Sequence, residues 1–475
     1  MFPPMDSTKS NGSPSVGHHL QTDQLFNKIA AIIIFTYSTS LLSVYMLVNE
    51  EVQQPYMDEI FHIQQVRSYC VHNFTHWNPK ITTPPGLYFT TWVLFKPVSE
   101  LIAFGEEDPN RKCPVPLVRF INLLFAIGNV ILMYLISYKQ NRYSAKICRI
   151  KTLVSAISLS TTPTLFFFNF LYYTDSGSLF FILAMYLMHI NDQTWIASLF
   201  GFVSLFFRQT NIVWCFFFAA YSSLKILQAA FERSKKRSKL FSNLISSIPQ
   251  ILLSQGGYLI TGILFGVFVF YNQGIVLGDR SAHEVTFHLA QLVYFLFFTF
   301  LFAVPWILLT GSLRKFMAYF YKNMTTVLLI SIAIIVIIKF QSLPHSYLLA
   351  DNRHFTFYLW RRILGNSESF IRYTLLPVCL LTSWSFINLI HRKDNLWKCL
   401  FILSICIIVI PQRLLEFRYF VPAFIIWRLN IFTNSALSLS LELMYNMLIN
   451  GLTFFIFLNK PFKWSNSDEL QRFMW

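Results

Sequence analysis

What this sequence has least of is charge. Only 13% of its 475 residues are Asp, Glu, Lys or Arg, against 55% hydrophobic and 18% aromatic, where soluble domains average about 25% charged. That excludes an ordinary soluble globule. Runs of around 20 apolar residues recur, each long enough to cross a hydrocarbon core of about 30 Å. The short alternating segments of a β-barrel are missing. So are a Walker loop, a Rossmann glycine fingerprint, an HExxH pair and the Asp-x-Asp pair that nucleotide-sugar enzymes use with a metal. An activated sugar would have to arrive on a carrier other than a nucleotide. The seven cysteines contain no CxxC or other metal spacing. No cofactor is expected, and metal dependence stays open.

The pattern that is present reads as an all-α polytopic membrane protein. Residues 1–27 are polar and are read as a disordered cytosolic tail, with 28–475 as one transmembrane domain. No cleavable signal peptide is evident, because Ile29–Val48 is too long for a signal core and lacks a small-residue cleavage site. It is read as a signal anchor. Further apolar runs cover 116–138, 152–171, 176–190, 195–207, 211–230, 250–271, 289–310, 324–340, 371–390, 399–410 and 436–458, with an ambiguous piece near 420–432. That predicts roughly 12–13 spans. No internal repeat is visible.

The net charge of +16 is spread over short separate loops, not one stripe, which argues against nucleic acid. Four basic clusters stand in alternate loops: Lys139 to Lys151, Arg233 to Lys239, Arg314 to Lys322, and Arg392 to Lys398. With the N-terminus cytosolic and 84–104 taken as a re-entrant or interfacial helix, all four fall on the cytosolic side, as the positive-inside rule requires. The varied loops 49–115, 272–288, 341–370 and 411–420 then face the lumen. Cys70 and Cys113 share the first of these, where a disulfide is open to them. The sequon Asn73-Phe74-Thr75 is there too, close to the interfacial helix, whereas Asn11-Gly12-Ser13 falls in the tail and is expected to be silent. The other five cysteines read as apolar fillers.

PYMDEIFH (Pro55–His62) follows the first span directly and carries the densest acid–histidine group of the first loop. If Pro55 opens a helix, Asp58 and His62 share a face and Glu59 points about 100° away. A partly desolvated carboxylate there suits a general base; the bland reading is ordinary helix N-terminal acids. The lumenal loops add packets: Asp279-Arg280 with His283-Glu284, Asp351-Asn352-Arg353-His354, Arg413, and Glu416-Phe417-Arg418. Arg208, in FRQTN, belongs to the same face. Arginine here runs against topology bias, and bidentate phosphate recognition supplies a reason. Local ion pairing, Asp279 with Arg280 or Glu416 with Arg418, is the competing explanation. Asp175, in LYYTDSGS, is a functional candidate or part of a helix N-cap. A transporter without chemistry is the rival class, but its broken helices would carry charge at the midplane, and here charge gathers on one face.

These strings, together with ITTPPGLY (81–88), RFINLLF (119–125), FFNFLYYTDSGS (167–178), GIVLGDRSAHE (274–284), LLADNRHFTFYLW (348–360), LLEFRYF (414–420) and QRFMW (471–475), resemble the eukaryotic dolichyl-phosphate-glucose α-1,2-glucosyltransferase family. The resemblance runs from about residue 54 to the last residue and omits the polar extension. It implies a GT-C glycosyltransferase fold and residence in the endoplasmic reticulum membrane with a lumenal site. The implied partners are dolichyl-phosphate-glucose, a dolichol-linked oligosaccharide acceptor and membrane lipid, with no nucleic acid. In that class an acid of the first lumenal loop is the base, which falls on Asp58, with Glu59 in competition. The donor is β-linked and the product α-linked, so the displacement inverts C1. The donor phosphate ligands are expected among Arg280, Arg353, His354, His283, Arg413 and Arg418. A mannose donor is the nearest alternative within the class.

Overall fold

The computed structural model describes residues 16–102, 108–141, 149–233, 237–280, 285–365, 370–432, 435–465 and 468–475. His283 and Glu284, Arg142, Lys146, Lys235, Lys236 and the Asn11 sequon lie outside them. Nearly every described apolar run is helix, as it must be where no water is present to satisfy backbone groups.

The chain runs α1 (Val16–Glu51), α2 (Glu59–Cys70), α3 (Gly86–Ile102), a single turn α4 (Pro109–Lys112) and α5 (Val115–Asn141). It continues through α6 (Arg149–Ser160), α7 (Pro163–Phe168), α8 (Asp175–Ile190), α9 (Thr194–Leu205), α10 (Ile212–Arg233) and α11 (Arg237–Asn272). Then come α12 (Ala290–Leu309), α13 (Ser312–Lys322), α14 (Met324–Phe340), and the short α15 (Ser346–Ala350) and α16 (Phe355–Leu359). Last are α17 (Leu375–Leu389), α18 (Asn395–Val409), α19 (Val421–Leu429), α20 (Ala436–Asn459) and an antiparallel ribbon of β1 (Phe462–Lys463) and β2 (Leu470–Gln471).

Among the described residues seven helices are long and apolar enough to cross a membrane, or eight if α13 and α14, bent by 104°, form one span. The expectation of about 12–13 spans also counts shorter runs, among them Asp175–Ile190, Thr194–Leu205 and Asn395–Val409. The remaining runs are helices of 12 to 16 residues or broken ones, shorter than a straight crossing at 1.5 Å per residue. The run 152–171 breaks where Thr161 and Thr162 bond back to Ser158 and Leu159 carbonyls (2.8 and 2.7 Å) and Pro163 follows. Helix α1 also starts at Val16, upstream of its apolar run.

Residues of all four loops read above as lumenal line one cavity. Elsewhere Lys225, near the close of α10, pairs with Asp394 before α18 at 2.7 Å. Gly86 N–H donates to Phe206 at 2.7 Å, and a Cys70–Cys113 disulfide (Cα–Cα 6.4 Å) ties α2 to the approach of α5. Buried Ile63, Val66, Leu87, Tyr88, Val118, Phe125 and Phe207 pack this layer into one apolar cluster.

Gly278 shows how tightly these loops are docked. It lies at φ +59°, and an added Cβ would sit 2.4 Å from the Pro79 oxygen and 2.5 Å from that of Ile81. Neighbouring N–H groups bond the same strip: Leu277 to Thr82 at 3.3 Å and Asp279 to Pro79 at 2.8 Å. A side chain here meets both backbone strain and carbonyls that cannot move aside. Gly278→Ala should lift the loop off residues 79–82 and lower stability. Thermal melting of the purified protein in detergent checks this: the variant should melt several degrees below wild type, and an unchanged melting temperature would contradict it.

Candidate active site

The loops read above as lumenal enclose a cavity of about 1,090 Å³. Its wall is drawn from 50–58, 60–62, 80–83, 174 and 208, 279, 347–356, 414–419, 464 and 469–472. Such a volume is at the large end of small-molecule sites.

Two neighbouring acids part company here. Helix α2 begins at Glu59, later than the expected start at Tyr56, because Met57 takes a left-handed conformation (φ 59°). For a non-glycine residue that costs on the order of 1–3 kcal/mol. The turn aims Glu59 inward. Its fully buried carboxylate receives Arg119 Nε (2.7 Å) and Nη2 (2.6 Å), Tyr56 N–H (3.0 Å) and Tyr172 N–H (2.8 Å). Arg119 also donates to Asn49 Oδ1 (3.2 Å) and to the Val52 (2.7 Å) and Gln54 (3.3 Å) carbonyls. Asp58 faces the other way, its side chain 50% exposed on the cavity, with Arg418 Nη2 at 3.4 Å from Oδ2. His62, one turn on, borders the same cavity and bonds Tyr88 Oη at 2.6 Å. Burial pushes its imidazole down to about 4, against the opposing pull of Asp58. Asp58 and His62 thus share a face and Glu59 leaves it.

The cations are mostly paired. Arg418 binds Glu416 through Nε and lies over the rings of Phe168, Tyr173 and Tyr419. Burial alone would raise the Glu416 carboxyl, but the Arg418 guanidinium outweighs it and brings it down to about 2. Arg353 forks onto Asp351 (2.9 and 2.8 Å), reaches Gln471 Oε1 (2.8 Å) and stacks over Trp464. His354 Nδ1 lies 3.0 Å from the Trp475 oxygen. Arg208 pairs with Asp175 at 2.8 Å and lies over Tyr419; its Nε and Asp175 Oδ2 are buried without hydrogen-bond partners. Thr174 makes no side-chain cap bond, so Asp175 serves this pair.

Two residues expected to hold phosphate stay outside. Arg280 folds back on the end of α11, bonding Asn272, the Gln273 carbonyl (3.1 Å) and the Val276 carbonyl (3.2 Å). Four acceptors at a helix end hold it there, and Arg413 is exposed and does not border the cavity either. Asp279 does border it. Among the described residues no three of His, Cys, Asp and Glu converge as metal ligands. Sequence reasoning passed over Arg119 and Arg472. A charge inside an apolar run was the available signal for Arg119; Arg472, in QRFMW, carried no such mark.

A family model described as the DIE2/ALG10 family matches residues 52–429. A human protein named Dol-P-Glc:Glc(2)Man(9)GlcNAc(2)-PP-Dol alpha-1,2-glucosyltransferase is 36% identical over 96% of this chain and all of its own length. Relatives of the same name from rat (36%, 96% of this chain, 100% of its own) and Arabidopsis thaliana (32%, 90% and 96%) align similarly.

The two acids should respond differently to amide substitution. Glu59→Gln leaves the Arg119 charge buried without its counter-charge and should cost about 3–5 kcal/mol, whereas Asp58→Asn should leave thermal stability near wild type; melting of the purified protein in detergent distinguishes them. A second expectation concerns pH. The His62 imidazole sits below its ordinary value of 6.5, so the unfolded chain takes up the proton first. Its contribution is complete above that value and is lost as pH falls toward about 4. Melting temperature should therefore drop across this window, and less steeply in His62→Gln.

Proposed function

The chain belongs to the DIE2/ALG10 family, and from that premise we infer its reaction. It is a dolichyl-phosphate-glucose-dependent α-1,2-glucosyltransferase that adds glucose to Glc2Man9GlcNAc2-PP-dolichol, in the assembly of the N-glycosylation precursor. Neither the transporter nor the mannose-donor reading finds support in the relatives' names. The observation that carries the site assignment is Asp58, a carboxylate open to the cavity beside Arg418, while its neighbour Glu59 is used up in the interior.

Asp58 takes the proton from the 2-hydroxyl of the acceptor's terminal glucose. That oxygen bonds to C1 of the donor glucose as the C1–O bond to phosphate breaks, and the electron pair leaves on dolichyl phosphate. One displacement at C1 converts the β-linked donor into an α-linked product. Negative charge grows on the leaving phosphate, and preorganised cations meet it most effectively. Arg418, Arg353, His354 and Arg208 border the cavity and take this role. Arg280 and Arg413 are not assigned to it. His62 borders the cavity on the same face as Asp58 and is held by Tyr88.

The cavity is placed on the lumenal face of the endoplasmic reticulum membrane. The Cys70–Cys113 disulfide suits an oxidising compartment, and the basic loops suit the cytosol. Asp58→Asn should fold and insert but lose transfer by about 10²- to 10⁴-fold. Purified protein in nanodiscs, given defined donor and acceptor, is read for one added hexose. Near-wild-type transfer would remove Asp58 as base.

A further inference from the structure

QRFMW (Gln471–Trp475) has no part in the reaction just described, yet Gln471 and Arg472 line the cavity and the segment bonds two sides of it. On one side it grips Tyr56, two residues before Asp58. The Tyr56 hydroxyl donates to the Arg472 carbonyl at 2.6 Å and accepts from the Arg472 N–H at 2.7 Å. Tyr56 is itself immobilised, since its N–H donates to Glu59 and its ring packs edge-on against Phe457. On the other side the segment grips the Arg353 loop. Met474 N–H donates to the Arg353 carbonyl (2.9 Å), Phe355 N–H donates to Met474 (3.0 Å), and Gln471 accepts from Arg353 Nη1.

The segment is anchored independently of both contacts. The Arg472 guanidinium is buried and donates to the Phe457 and Leu458 carbonyls (both 2.8 Å) and to the Glu51 carbonyl (3.0 Å), closing the ends of α20 and α1. The Trp475 ring packs against Phe302, Phe355 and Phe417. Five residues therefore join the carboxylate side to the guanidinium side through a few short hydrogen bonds.

We propose that Gln471–Trp475 is a positioning strap that sets the separation between Asp58 and the Arg353–His354 loop, with Tyr56 and Gln471 as its two adjustment points. This rests on the assignment of Asp58 as base and Arg353 as phosphate ligand. Because displacement reactions depend steeply on the distance between proton acceptor, nucleophile and leaving group, releasing either end should cost rate or binding without unfolding the protein. Release at Tyr56 shifts the base. Release at Gln471 loosens the phosphate clamp.

The test compares Tyr56→Phe, Gln471→Ala and Gln471→Glu in nanodiscs for kcat, donor KM, dolichyl phosphate binding and melting temperature. Tyr56→Phe should lower kcat by about 10- to 100-fold with donor KM and dolichyl phosphate binding close to wild type. Gln471→Ala should raise donor KM and weaken dolichyl phosphate binding by about 10-fold with kcat largely kept. Gln471→Glu, which keeps an acceptor oxygen for Arg353, should restore both. Melting temperatures should stay close to wild type. The proposal is overturned if Tyr56→Phe and Gln471→Ala change kcat and KM alike, if losses track melting temperature, or if neither of these two changes anything. Dolichyl phosphate binding reports on the Arg353 side whichever group removes the proton, so failure of the strap is separable from failure of the Asp58 assignment.

Discussion

The Glu59–Arg119 pair is the constraint on which the rest of this site depends. A buried ion pair is weak evidence for stability by itself, because desolvation consumes much of the Coulombic gain. Here the two ions hold separate pieces of chain together. Glu59 takes the N–H groups of Tyr56 and Tyr172, and Arg119 takes the carbonyls of Val52 and Gln54 and the Asn49 side chain. The end of α1, the link to α2, the start of α5 and the turn before α8 are therefore fixed to one point. With Glu59 locked inward, a strained Met57 turns Asp58 outward onto the cavity. One acid of the doublet holds these segments together and the other faces the cavity.

The cations around the cavity follow a related logic. Arg418, Arg353 and Arg208 each hold a carboxylate, Glu416, Asp351 and Asp175. Pairing does not remove them from phosphate recognition. It orients the guanidinium before ligand arrives and limits the cost of burying unpaired charge. Aromatic faces add a second restraint, with Tyr419 between Arg208 and Arg418 and Trp464 under Arg353. Of the local pairings that competed with phosphate binding in the sequence, Glu416–Arg418 forms, whereas Arg280 bonds the end of α11.

Much of this was legible in the chain, for identifiable reasons. Apolar run length marks helices in lipid, so the long segments were plain. The charged packets stood out because arginine is rare on a non-cytosolic face. The i, i+4 relation of Asp58 and His62 placed both on one surface. What escaped depended on tertiary contact. No local pattern says that Glu59 will meet Arg119 sixty residues away, that Arg280 will close the end of α11 rather than enter the cavity, or that Arg472 will cap two helices at once. The run 152–171 reads as one segment in the sequence because run length alone does not register the Thr161–Pro163 break.

The most direct measurement is a cryo-EM structure of the wild-type enzyme with acceptor and an unreactive donor analogue, resolving the carboxylates of residues 58 and 59. The account requires the Asp58 oxygen within hydrogen-bonding reach of the acceptor 2-hydroxyl, about 2.6–3.2 Å, with Glu59 still against Arg119. A complex in which Glu59 has left Arg119 for the acceptor, or in which Asp58 turns away from the sugar, would contradict it.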